Sequence, residues 1–132
     1  MINAIGIALS GLNAATQRVN AAASNVANVT TAGSLEEGGK APYDALEARQ
    51  STNEQGGVRS EVVSAGRPFV PSYAPDSPFA NSEGLIGTPN VDLAEEAVNL
   101  NLAELTYKAN VGVLKTADEM SDELLSIFDD EV

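Results

Sequence analysis

The chain has no cysteine, histidine or tryptophan, and only three tyrosines and three phenylalanines in 132 residues. Without cysteine, neither disulfides nor thiolate metal sites can staple a small fold. Without histidine, the commonest general base and metal ligand near neutral pH is missing. Cations are scarce too: seven Lys and Arg stand against nineteen acids, for a net charge of −12. That balance argues against nucleic acid, because neutralising phosphates takes clustered Lys and Arg. No apolar run is long enough to span a membrane, so no membrane insertion is expected. The N-terminus carries no basic residue before Arg18, so it does not read as a cleaved secretory signal. Phosphate-binding loops, a G-x-S-x-G nucleophile turn and a D-x-D-x-D-G calcium loop are all missing from the sequence. A glycosidase needs two positioned carboxylates, whereas Asp118, Glu119, Asp122 and Glu123 read as a solvated i, i+4 cluster on a helix. No catalytic residue, cofactor or metal is expected, and the chain reads as a non-enzyme.

What the chain does have is helical patterning at both ends. Ile5, Leu9, Leu12, Val19, Ala23 and Val26, with Thr16 as the one polar step, alternate spacings of three and four. That is the seam of a coiled coil. Near the C-terminus a similar series runs through Leu93, Ala97, Leu100, Tyr107, Val111, Leu114, Leu125 and Phe128. A second row, read as adjacent to it, runs through Val98, Leu102, Leu105, Ala109, Val113, Ala117, Met120, Leu124 and Ile127. Two apolar rows on one helix exceed what one partner helix can cover, which points to assembly. The chain is one domain by length, but extended helices of this kind leave it little core.

The segment from Ile2 to Asn28 carries a single charge, Arg18, and is rich in Ala and Asn. Gly6 and Gly11 each cost about 1 kcal/mol relative to Ala inside a helix. Small residues and amides away from the seam make sense if that side is packed as well, with glycine permitting close approach. An ordinary amphipathic helix against its own C-terminal partner fits the same pattern, and both can hold at once. Pro89 precedes the second helix, Asn90 or Asp92 can cap it, and Glu95 and Glu96 face the positive end of its dipole. The region between is rich in glycine, proline and turn residues. Val58–Ser64 reads as a strand, Tyr43–Gln50 as strand or helix, and Phe69–Tyr73 as an edge strand tolerating Pro71. The expected fold is mainly α with a small β-rich insert, its long N- and C-terminal helices forming a coiled-coil-like pair. The boundaries fall at 1–34, 35–88 and 89–132, the last with an acidic tail that either solubilises or steers toward a basic partner.

Ala23-Ser24-Asn25-Val26-Ala27-Asn28 with Thr30 resembles a motif near the N-terminus of the flagellar axial proteins, the family of rod, hook and hook-associated subunits. Pro89-Asn90-Val91-Asp92 and Tyr107-Lys108-Ala109-Asn110-Val111, together with Ala41-Pro42-Tyr43 and Tyr73-Ala74-Pro75-Asp76-Ser77-Pro78, resemble the proximal rod members of that family in order and spacing. Ser24 and Lys108 depart mildly from its pattern, and the tail is more acidic. The resemblance implies a structural subunit of the bacterial basal-body rod, which crosses the periplasm and transmits torque. It implies export through the flagellar type III apparatus without signal cleavage, and helical polymerisation with itself and other rod subunits. Another rod paralogue, a soluble coiled-coil adaptor and a secretion-needle-like subunit are the alternatives. The residues expected at subunit contacts are Ile5, Leu9, Leu12, Val19, Asn25, Val26, Asn28, Asn90, Leu100, Leu105, Tyr107, Asn110, Val111 and Leu114. Helix termination for Asn28 and core filling for Tyr107 are their simpler roles.

Overall fold

A computed structural model describes residues 2–129; the last three residues of the expected acidic tail lie outside the described residues. Helix α1 spans Ile2–Asn28 and helix α2 spans Leu93–Asp129. Between them lie β1 (Leu46–Thr52), β2 (Val58–Ser64), β3 (Val70–Tyr73) and β4 (Leu85–Thr88). Asp92, rather than Asn90, caps α2: its Oδ1 accepts from the backbone N–H of Ala94 at 2.8 Å and of Glu95 at 3.3 Å. These are donors that no intrahelical carbonyl can reach.

The two helices run antiparallel. Asn25 meets Glu96, Gly11 meets Asn110, and Ala4 lines the same groove as Ala117, all in one register. The contact between them is made of small side chains. Ala8, Ala15 and Ala22 of α1 and Ala103 and Ala117 of α2 are buried, with Gly11 among them. A Cβ built at Gly11 would lie 2.4 Å from Asn110 Oδ1, so glycine is what lets the axes approach there. The large residues of the expected seam face outward instead: Leu9 is 53% and Val19 39% exposed. The side away from the seam is therefore the one used inside the chain.

Strands β1 and β2 form an antiparallel hairpin with Leu46 opposite Ser64 and Thr52 opposite Val58. Its turn uses Gly56 and Gly57, both at positive φ. The hairpin lies along α1. Its base is held at Asn25, and Val58 N–H donates to Ser10 Oγ at 3.0 Å near its tip. The lengths agree: seven strand residues and fifteen helical ones each span roughly 22 Å. Strands β3 and β4 form a second antiparallel pair, Val70 opposite Thr88. Gly33 and Gly87 exchange backbone hydrogen bonds at 3.0 and 2.9 Å, which ties the exit of α1 to the approach to α2. Neither glycine has room for a Cβ, since Pro42 crowds both.

Candidate subunit interface

Ile86 is the only large apolar side chain in the buried core among the described residues; the other members are alanines. The chain's accessible surface is 8722 Å², whereas a monomer of 13.6 kDa typically exposes about 6,600 Å². Many large apolar residues are part of that exposed surface. Ile5, Ile7, Leu9, Val19 and Val26 of α1, and Leu93, Val98, Leu102, Leu105, Tyr107 and Val113 of α2, are all exposed, Val98 and Leu105 by 65% each. Exposed apolar residues in this number, along both helices, exceed the single scattered ones that a monomer's surface normally carries.

At 100° per residue, these positions sort onto distinct faces. The α1 row of Ile5, Leu9, Leu12, Val19 and Val26 lies beside the α2 row of Leu100, Tyr107, Val111 and Leu114. Where the rows meet, Ala15, Thr16, Val19, Ala103 and Tyr107 line a groove of about 320 Å³. Leu12, Leu100, Val111 and Leu114 are half-buried along this face. The second α2 row, expected beside the first, lies on the opposite flank. Val113 and Met120 reach a separate groove of about 530 Å³ with Ala4. The burial of α2 against α1 runs between the two rows and separates them. Leu105 belongs to this second flank.

The polar residues of the expected contact set divide. Asn25, expected at a subunit contact, is 1% exposed in the single chain, where its amide bonds Leu46, Glu96 and Tyr43 and so serves the fold. Asn28 donates to Ser24 O at 2.9 Å and accepts from Thr31 Oγ1 at 3.2 Å, which is helix termination. Asn110 is half-buried, donates to Thr106 O at 2.8 Å and packs on Gly11. Tyr107 stands 47% exposed on the outer face rather than filling a core, and Asn90 is half-buried beside the cap. Burial singles out Glu96, which the sequence offered as a dipole partner and not as a contact residue; its spacing of seven from Ala103 and fourteen from Asn110 was the available signal.

Arg67 donates to Glu95 Oε1 at 2.6 Å, linking the segment after β2 to the first turn of α2. The hydrogen bond and charge of Arg67 hold the Glu95 carboxyl below its usual range. The same hydrogen bond raises the Arg67 pKa, so the two shifts agree in sign. Among the described residues, no three acids converge as a metal-binding group, and no helix is long and apolar enough to cross a membrane.

A profile of the flagellar basal body rod FlgEFG protein C-terminal family matches residues 82–127, the end of the insert and nearly all of α2. The flagellar basal-body rod protein FlgC of Escherichia coli O6:H1 is 36% identical, over 96% of this chain and 97% of its own length. The FlgC proteins of Yersinia enterocolitica and Salmonella typhimurium are each 35% identical over the same shares. The chain belongs to the FlgC family of flagellar basal-body rod proteins. These three FlgC relatives match it over 96% of its length, through α1, the insert and α2 alike. The reading as a structural basal-body rod protein rather than an enzyme rests on this membership and not on any missing side chain.

Proposed function

We propose that the chain polymerises helically with itself and with other rod subunits, through the outward faces of α1 and α2, into the shaft that carries torque for swimming. The observation that carries this reading is the inversion of burial: alanines line the contact inside the chain, while Leu, Val, Ile and Tyr stand outside it. Two apolar flanks on opposite sides of one helix pair give each subunit two different surfaces. Contacts between unlike surfaces propagate instead of closing into a dimer. We further propose export in an unfolded state through the flagellar type III apparatus. The absence of disulfides and the thin alanine contact between the helices leave little to undo before threading.

Leu105→Asp tests assembly. The side chain is 65% exposed, so the substitution should cost the isolated fold less than about 0.5 kcal/mol, yet it places a charge on an interface flank. The expected result is a strain that makes and exports the protein but lacks rods in electron micrographs of basal bodies and does not swim. A fully motile strain removes this flank from the interface.

A further inference from the structure

Asn25 is the largest fully buried side chain among the described residues. Its two amide protons are divided between two elements. One goes to Leu46 O of β1 at 2.8 Å, the other to Glu96 Oε1 of α2 at 2.6 Å. Its Oδ1 accepts from Leu46 N–H at 2.8 Å and from the Tyr43 hydroxyl at 3.0 Å. The side chain thus exchanges both bonds with Leu46 as a neighbouring strand would, although it projects from a helix. The amide's two donors and two acceptor sites are filled. Glu96 is itself 5% exposed and accepts from Asn99 on its other oxygen.

We infer that Asn25 is a positioning residue that couples two events, the docking of the β1–β2 hairpin on α1 and the pairing of α2 with α1. The physical reason is solvation. With α2 in place, the amide is sealed from water, and its bonds to Leu46 are made in a low-dielectric site where they are strong. Lifting the first turns of α2 lets water reach the same donors and acceptors, and the hold on the hairpin weakens. Lifting the hairpin has the reciprocal effect, because the Glu96 carboxylate is then served by an amide that water also solvates. Reciprocity is required of any such coupling. The β elements make few direct contacts with α2, as the α1 contacts dominate the hairpin's packing. Apart from the partly exposed Arg67–Glu95 pair just after β2, Asn25 is the side chain that carries the communication, and it does so from a buried position. This inference concerns the single chain and holds whether or not the chain polymerises as proposed above.

Hydrogen exchange on the full chain, at a concentration where it is monomeric, tests the coupling. The probes are the Leu46 amide, bonded to Asn25, and the Ala65 amide, which closes the hairpin base on Ala45 O at 2.7 Å without touching α2. Glu96→Leu keeps most of the volume and removes the acceptor; Glu96→Gln keeps an acceptor. Protection at Leu46 and Ala65 should fall at least ten-fold in Glu96→Leu and stay within about three-fold of native in Glu96→Gln. Glu95→Gln, on the same turn but bonded to Arg67, should leave both amides within about two-fold. Native protection at Leu46 in Glu96→Leu overturns the proposal, and so does an equal loss in all three variants. If Glu96→Leu loses its helical circular dichroism, the unmodified chain decides. The amides of Leu46 and Glu96 should open with the same denaturant dependence, and independent opening overturns the coupling.

Discussion

Glycine at two positions in α1 answers to different causes, and substitution separates them. A Cβ at Gly6 meets nothing within 4 Å, whereas one at Gly11 falls on the Asn110 side chain. Gly6→Ala should therefore stabilise the monomer by about 1 kcal/mol through helix propensity alone. At Gly11 the same gain is set against overpacking that costs about 1–3 kcal/mol, so Gly11→Ala should be destabilising. Adding Asn110→Ala should reverse that sign, and urea melts of the two single variants and the double read it as non-additivity. The Glu95 carboxylate gives a pH-dependent check. Its folded pKa is lowered by the Arg67 hydrogen bond, so its contribution is present above the unfolded carboxylate range and lost as pH falls through the lower folded value. The pair is partly exposed, 35% and 46%, so Glu95→Gln should cost only about 0.2–1 kcal/mol at pH 7. The difference from native should shrink as pH falls below the unfolded carboxylate range.

Both helices were legible from three-four periodicity, and α2 ends within a residue of the expected Phe128. Their inward faces were harder to read. Hydrophobic pattern points large side chains to the inside, and here Ala8, Ala15 and Ala22 take that place while Leu9 and Val19 do not. The notion that small residues away from the seam are packed captured part of this. Val58–Ser64 was readable from its alternation, but Leu85–Thr88 was not: a four-residue Leu-Ile-Gly-Thr stretch becomes a strand only because Val70–Tyr73 and Gly33 pair with it. Asn25 and Glu96 were invisible as a pair, since seventy-one residues separate them. The helical register has a further consequence: extended, it leaves about ten residues of α2 beyond the start of α1, roughly 15 Å. Met120, Leu124, Leu125 and Ile127 on this stretch are 45–64% exposed. In a dilute monomer their amides should exchange at least ten-fold faster than those of Leu100–Ala117, because an unsupported helical end frays. Peptide-resolved exchange measured by mass spectrometry checks this.

For the molecule as a whole, charge opposes the association that its apolar flanks favour. Net charge is −12 at neutral pH, and the isoelectric point is near 4.1. As pH falls from 7 toward 4.5 the acids lose charge and mutual repulsion drops. Self-association of the purified chain should rise over that interval, as sedimentation velocity would register. Unchanged sedimentation would mean that repulsion is not what keeps dilute copies apart.

The helix pair is also unlike at its two ends. Past the end of α1, the Gly33–Gly87 bridge and Pro42 tie the chain leaving it to β4. Where α1 begins, α2 runs on bare. The molecule is therefore a vector, with a head and a tail of unlike chemistry. If copies stack in one sense, as proposed above, the column inherits that polarity and its two tips present different surfaces to an arriving subunit.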